Sequence, residues 1–403
     1  MKIIGLMSGT SLDGIDAVLL EVQETGDPET GDPGEDPFPE IRWRVHAFRS
    51  HPFSSLQRDR ILGALSRGGA RELARLHTDL GEWFSEAVLS LLREAGEESR
   101  AISAVGSHGQ TLWHDPPTPG RRGRSFQLGC PSTLAERTGI AVVSDFRSRD
   151  VAAGGHGAPL VPWADALFFR PERGPRVIQN LGGMANVTWL PGPGDPASIL
   201  AFDTGPGVAL LNTAATLATG AAKTYDVDGA LARRGRVVEE VLQRLLAHPF
   251  FQEAPPRSTG RETFSPAMVE EAASWMREET GAALEPGSAE EGWPDLLATL
   301  TALTARSVGE AYRRWVMPLG VEEVFLAGGG ARNPALREAL ARELDPIPLR
   351  PGHELGMDPD AREAAAFALL AWAHIKGIPA NVPQATGALG PRILGSFTPG
   401  GSP

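Results

Sequence analysis

One pattern occurs twice in this chain, and it limits the folds open to it. Residues 2–7 read as a short buried strand, a polar turn of small residues runs from Ser8 to Gly14, and a second apolar run covers 15–22. That is a hairpin with glycines and hydroxyls at its tip. After an acidic, Gly- and Pro-rich loop over 23–40, a third strand is expected over 41–48. The same succession returns as a strand over 177–181, the turn Gly182-Gly183, a strand over 185–190, a loop over 191–196, and a strand over 199–202. It ends at Asp203-Thr204-Gly205-Pro206-Gly207. Two such halves facing each other would form a cleft, with a Gly-rich tip on either side offering backbone N–H groups to phosphate oxygens.

The chain has 403 residues, and its 38 Lys+Arg against 50 Asp+Glu give a net charge of −12. That length allows two or three domains, each able to bury a core of its own. The patterning predicts one domain over 1–145, a second over 146–380 and a Gly/Pro-rich tail over 381–403. A single cysteine, Cys130, excludes an intramolecular disulfide, and no Cys/His cluster has zinc-ligand spacing, which fits a reducing cytoplasm. The apolar run at the N-terminus is too short for a signal-peptide core and no 18 apolar residues run together, so neither export nor a membrane span is expected. Net negative charge without a long basic run argues against nucleic acid as a partner. Any phosphate ligand must then be held by a local site.

Apolar side chains at Leu73, Leu76, Leu80, Phe84, Ala87 and Leu91 step by three or four and predict a helix. A strand over 104–106 leads into Ser107-His108-Gly109-Gln110-Thr111. A strand over 140–144 leads into Asp145-Phe146-Arg147 and then Gly154-Gly155-His156-Gly157-Ala158-Pro159. Further on come a helix over 296–315, a buried strand over 324–327, the turn Gly328-Gly329-Gly330-Ala331-Arg332-Asn333-Pro334, and a final helix over 360–375.

Each of these segments suits a chemistry and also a plain structural role. Most Gly-rich tips only reverse the chain, and the first matches neither the Walker A nor the dinucleotide pattern. Its small residues nonetheless let backbone donors approach an anion, and Asp13 or Asp16 can bind Mg²⁺ directly or through water. The Gly328-Gly329-Gly330 turn leaves a face without side chains, suited either to adenine or ribose or to close helix–strand packing. Asp203, after a strand, can serve as a general base or cap the next turn. His108 and His156 can meet sugar hydroxyls or act as structural hydrogen-bonders, and Arg147 and Arg149 can pair with a carboxylate. Cys130 reads as a packing residue.

Six blocks carry a resemblance over nearly the whole chain: Met7-Ser8-Gly9-Thr10-Ser11-Leu12-Asp13-Gly14, Ser107-His108-Gly109-Gln110-Thr111, Asn180-Leu181-Gly182-Gly183-Met184-Ala185-Asn186, Asp203-Thr204-Gly205-Pro206-Gly207, Ser258-Thr259-Gly260-Arg261-Glu262 and Gly328-Gly329-Gly330-Ala331-Arg332-Asn333-Pro334. In this order they resemble the anhydro-N-acetylmuramic acid kinase family, of the actin, sugar kinase and Hsp70 superfamily. The resemblance implies two actin-like (ribonuclease H-like) α/β domains flanking a nucleotide and sugar cleft, use of ATP and Mg²⁺, and a homodimer. It implies hydrolytic opening of 1,6-anhydro-N-acetylmuramic acid with phosphorylation of O6 in peptidoglycan recycling.

By matching positions, the resemblance makes Asp203 the catalytic base. Gly9, Thr10, Ser11, Leu12, Asp13, Gly14, Ile15 and Asp16 form a first phosphate hairpin, with Asp13 toward Mg²⁺. Gly182 and Gly183 belong to a second, and Gly328, Gly329, Gly330 and Asn333 to an adenosine-side loop. His108, Gln110, Arg147, Asn186 and Glu363 fall on the sugar side, Arg147 toward the lactyl carboxylate. Cys130, Ser148 and Val208 depart from the family pattern. A kinase of another sugar and a non-catalytic ATP-binding module are the alternative readings.

Overall fold

A computed structural model describes residues 1–9, 12–25, 38–118, 120–192, 198–260, 262–290 and 292–401. Thr10, Ser11, Arg261 and most of the loop over 23–40 lie outside the described residues. The chain divides into two compact units, Met1–Arg170 with Asp360–Pro403, and Pro171–Pro359. The boundary expected at 145/146 therefore falls at 170/171, and the chain from Asp360 onward returns to the first unit. The reason is long-range. Helices Phe146–Ala152 and Val161–Phe168 pack in the first unit, where Arg362 of helix Arg362–Lys376 donates to the buried Asp165 from Nε (2.7 Å) and Nη2.

The first unit carries β1 (Lys2–Ser8), β2 (Gly14–Glu24), β3 (Ile41–Pro52), β4 (Ala104–Asp115), β5 (Arg124–Leu128) and β6 (Val142–Ser144). β1, β2 and β3 form an antiparallel meander, and β4 and then β6 continue in parallel on the other side of β1. β5 folds back on β4, and the short strand Ser396–Thr398 pairs with β6. The expected tail thus contributes a strand. Ile4 and Leu6 face the helix Ala70–Ala95, which buries Leu76, Leu80, Phe84, Val88 and Leu91 as its periodicity predicts.

Because strand side chains alternate, Gly5 faces the opposite side of the sheet. It stands beside Gly106 of β4 in the parallel register, and helix Arg362–Lys376 lies directly on the pair. A Cβ on Gly5 would come 1.9 Å from the Ala364 carbonyl oxygen, and one on Gly106 would come 2.1 Å from that of Phe367. Two side-chain-free positions on neighbouring strands let a helix backbone seat there.

In the second unit β7 (Arg176–Leu181), β8 (Met184–Leu190) and β9 (Leu200–Pro206) form an antiparallel meander, and β10 (Glu323–Ala327) and β11 (Leu349–Pro351) extend it in parallel beyond β7. The order β11-β10-β7-β8-β9 repeats the first unit's β6-β4-β1-β2-β3. This shared plan is the α/β, ribonuclease H-like class. Val177, Val187, Phe202, Val308, Leu336 and Leu340 form its sheet core. A separate cluster with Leu210, Leu242, Phe264, Val269 and Leu296 holds helices Ala209–Ala218, Glu239–Leu246, Pro266–Thr280 and Gly292–Ala311.

Replacing Gly5 or Gly106 by Ala forces this backbone contact apart. Each change is expected to cost about 1–3 kcal/mol of stability, read from urea unfolding midpoints at unchanged m-value. A shift within error for both would contradict the packing described.

Candidate functional site

In the second unit, β9 places Asp203 directly across from Asn186 of β8. The residue lies inside the strand, not at its end as the sequence suggests, because pairing with β8 continues to Pro206. The segment after Phe250 clamps it. The Thr259 backbone N–H donates to Asp203 Oδ2 at 2.7 Å, the Asp203 N–H donates to the Arg257 carbonyl at 3.1 Å, and Arg257 Nε donates to the Asp203 carbonyl at 2.9 Å. Arg257 also donates to the carbonyls of Phe250 and Glu253 and lies over the Phe250 ring.

Desolvation raises the Asp203 pKa to about 7, against the opposing pull of the Thr259 N–H and Arg257. One carboxylate oxygen is thus held while the group stays basic near neutral pH. That combination suits a general base.

The same unit contains a cavity of about 430 Å³ between the turn after β10 and the start of helix Ala209–Ala218. Val208, Leu211 and Val227 give it apolar walls, and Asn212, Tyr225, Asp226, Asp228 and Asn333 give it polar ones. Its glycines divide by role. Gly328 has φ +80°, and Gly330 would meet Leu181 O at 2.8 Å and Val208 Cγ1 at 2.7 Å if it carried a Cβ. Packing limits the space at those two, and Gly330 also borders the cavity. Gly329 lines the cavity and has nothing within 4 Å of where its Cβ would stand. Asn333 accepts from the Leu336 N–H at 3.2 Å and so caps the next helix. At the β7–β8 tip, the carbonyls of Gly182 and Gly183 accept from the N–H groups of Gly207, Val208 and Ala209, which braces the turn. Val208, one of the departures from the family pattern, packs in the cavity wall.

In the first unit, Leu12 and Ile15 of the opening hairpin bury their side chains in the apolar core, which leaves only their backbones for a ligand. Ser8 Oγ lies 2.7 Å from Gln110 Oε1 and 3.0 Å from the Gly14 carbonyl oxygen, and its single O–H is shared between these two acceptors. Gln110 is 1% exposed and also donates to the Gly9 carbonyl at 3.3 Å, so it supports the tip from beneath. The carboxyls near this tip crowd one another. Burial raises the pKa of Asp16, a Ser50 hydrogen bond opposes the rise, and the charges of Glu363, Asp360 and Asp13 add to it. Asp13 itself is exposed. Among the described residues no three His, Cys, Asp or Glu converge as a ready metal cage. Crowded acids without such a cage fit a hydrated Mg²⁺ that touches one or two carboxylates.

The block from Ser107 to Thr111 is strand, not loop, because β1 and β6 pair with β4 at Ser107, and β1 and β5 pair with it at Gln110. His108 is consequently buried, at 3% exposure. Arg147, on helix Phe146–Ala152, donates to His108 Nε2 from Nε (3.1 Å) and Nη2 (2.8 Å), and from Nη1 to the Gly157 carbonyl (2.7 Å). His108 Nδ1 then donates to the Gly109 carbonyl at 2.8 Å, the tautomer those contacts require. Desolvation and the neighbouring Arg147 lower the His108 pKa to about 3, so the imidazole is neutral and serves as a rest for the guanidinium. Burial lowers the Arg147 pKa to about 10, which still leaves it charged. Of five N–H groups, one on Nη1 and one on Nη2 remain, a fork suited to a carboxylate. Glu363, on the first turn of helix Arg362–Lys376, keeps an exposed edge, while the protein packed around it raises its pKa by desolvation, with Arg362 and Arg147 opposing.

A family model described as anhydro-N-acetylmuramic acid kinase matches residues 1–400. A Gloeobacter violaceus protein of that name is 42% identical over 401 residues, spanning 99% of this chain and 98% of the relative. This chain belongs to the anhydro-N-acetylmuramic acid kinase family. A Caldanaerobacter subterraneus relative with the same name is 38% identical over 98% of this chain and 96% of its own. Among solved structures, the activator of the 2-hydroxyisocaproyl-CoA dehydratase from Clostridium difficile with bound ADPNP aligns with 94% of this chain and 96% of its own, at 16% identity and a TM-score of 0.43. So loose a likeness carries no argument.

For this member of the kinase family, the sequence pointed to Asp203 and Asn186, which β8 and β9 bring together, and to Arg147, which meets His108. It missed Arg257, Asp226 and Asn212. Arg257 sits just before the Ser258-Thr259-Gly260 block, and the Asp226-Val227-Asp228-Gly229 run carries turn residues that signal a shaped loop. The Asp203 carboxyl carbon, followed by NMR against pH, is expected to titrate with a midpoint near 7. A midpoint near the ordinary 3.8 would contradict the site's electrostatics.

Proposed function

We propose that this chain is an ATP-dependent kinase converting 1,6-anhydro-N-acetylmuramic acid and water to N-acetylmuramic acid 6-phosphate and ADP, in peptidoglycan recycling. The observation that carries the chemistry is a carboxyl with a pKa near 7, one oxygen of which is pinned by a backbone N–H. In the anhydro sugar O6 is bonded to C1 and has no proton to lose. It becomes a nucleophile only as that bond breaks. Asp203 takes a proton from water as the water oxygen bonds to C1. The C1–O6 electron pair stays on O6, which bonds to the γ-phosphorus while the bond from phosphorus to the ADP oxygen breaks.

Phosphoryl transfer needs chiefly alignment and charge neutralisation. Backbone N–H groups of the tips around Gly9 to Gly14 and Gly182 to Gly183 provide donors for the phosphates. The adenosine end occupies the cavity at Gly329 and Asn333, whose volume lies within the ordinary range for small-molecule sites. Mg²⁺, when bound, neutralises phosphate charge, and Asp13 with Asp16 would hold it, in part through water. Arg147 takes the lactyl carboxylate on its two remaining N–H groups, and Asn186 and Glu363 bind sugar hydroxyls. His108 and Gln110 act one step back, through Arg147 and the first tip. ATP as co-substrate and the lone Cys130 support a cytoplasmic site of action.

Asp203→Asn is expected to lower kcat by about 10²–10⁴-fold, the usual worth of a general base, with ATP affinity unchanged by calorimetry. In the wild type, log kcat/KM rises with pH at unit slope and levels above about 7, since the base must be ionised. Turnover in ¹⁸O-water should put the label on C1. Unlabelled product would favour a kinase for an ordinary sugar hydroxyl. Gly329→Val, whose Cβ has no atom of the fold within 4 Å, is expected to raise KM for ATP about tenfold or more at unchanged unfolding midpoint. An unchanged KM would remove the cavity from the nucleotide site.

A further inference from the structure

The Gly154 to Pro159 run has no role in the chemistry above, and the segment after residue 380 reads from sequence as a tail. Both converge on Asp150, a carboxylate with no exposed surface. Its Oδ1 accepts from Asn381 Nδ2 at 2.7 Å and from Thr386 Oγ1 at 2.8 Å, and its Oδ2 accepts from the Gly157 N–H at 2.8 Å. The other face of the same peptide segment is the Gly157 carbonyl, which receives Arg147 Nη1 at 2.7 Å. The loop is stitched to the C-terminal segment twice more, by the His156 N–H to the Thr386 carbonyl at 2.7 Å and the Leu389 N–H to the Ala153 carbonyl at 2.9 Å. Gly155 leaves room for this arrangement, since a Cβ there would stand 2.2 Å from Asp150 Oδ2.

We infer that Asp150, with Asn381 and Thr386, is a positioning residue for Arg147: the C-terminal segment fixes the guanidinium fork through Asp150 and Gly157, and so sets how tightly the sugar's carboxylate is bound. The physical argument is one of constraint. Arg147 has two supports, His108 and the Gly157 carbonyl. His108 is itself locked in β4, whereas Gly157 belongs to a loop that helical or sheet pairing does not hold. Three buried donors on one carboxylate supply the missing rigidity, and charge-assisted hydrogen bonds of this kind are the strong ones. A tilt of the guanidinium would spoil bidentate pairing while leaving the nucleotide cavity and Asp203, both in the second unit, untouched.

This inference rests on the reading of Arg147 as the residue that takes the lactyl carboxylate, and the experiment separates the two. Steady-state kinetics of the full chain are compared with 1,6-anhydro-N-acetylmuramic acid and with 1,6-anhydro-N-acetylglucosamine, which lacks the lactyl group. Asp150→Asn keeps the shape but presents an amide where an acceptor is needed. It should raise KM for the muramyl sugar about tenfold, with kcat and KM for ATP changed less than about twofold and no added effect on the analogue. Thr386→Val, which removes one donor and leaves the carboxylate, should do the same about threefold and decides the matter if Asp150→Asn does not fold. Combined with Arg147→Met, neither change should add to the loss from Arg147→Met alone. If Arg147→Met leaves the muramyl KM unchanged, the assignment of Arg147 fails. If Arg147→Met raises it while the other two variants do not, or their effects add in full or apply equally to both sugars, the positioning role is overturned.

Discussion

The contact between helix Arg362–Lys376 and the glycine pair Gly5 and Gly106 governs the geometry of the first unit. Van der Waals surfaces meet there as backbone on backbone, at a separation no side chain permits. Seated so closely, the helix buries Phe367 between the ring of His108 and that of Phe146. Its first turn holds Arg362 against Asp165 and puts Glu363 at the surface beside the acidic hairpin tip. A wider gap would loosen the His108 ring and the support it gives Arg147. One steric allowance thus sets the position of several charged groups.

Around the proposed chemistry, polar groups are oriented by a second set of polar groups. Arg257 and Thr259 hold Asp203, Ser8 and Gln110 hold the first tip, and His108 and the Gly157 loop hold Arg147. The electrostatic consequences differ. Asp203 is raised toward neutrality because desolvation outweighs the cation nearby, whereas Arg147 keeps its charge although burial lowers its pKa. A base must be able to lose and regain a proton near pH 7, and a carboxylate anchor must not.

Much of this was legible from spacing. Apolar runs and Gly-rich turns located β1, β2, β7, β8 and β10, and the three- and four-residue step of Leu76, Leu80 and Phe84 located the helix that covers the first sheet. Asp203 and Asn186 could be read as candidates because their motifs stand beside strands. Strand ends were harder. β4 runs through the His108 block because β1, about a hundred residues earlier, and β6 pair with it in parallel, and β5 takes over the pairing from Gln110 onward. His108 and Gln110 therefore moved from loop residues to buried supports. The three glycines after β10 looked alike in sequence, yet of the three only Gly329 has nothing within 4 Å of where a Cβ would stand.

By itself the sequence determined the repeated meander, the class of fold, the family and the residue types available for phosphate and sugar chemistry, because these follow from local periodicity and from motifs that are contiguous in the chain. The tertiary structure alone decided which unit owns helix Arg362–Lys376 and the C-terminal segment, which polar groups are buried as braces, and why Asp203 is basic near pH 7. Each of those depends on desolvation or on a partner distant in sequence, as with Asp165 and Arg362 or Asp150 and Thr386. Such a pairing leaves no periodic trace, since a buried hydrogen bond constrains two residue types but not the number of residues between them.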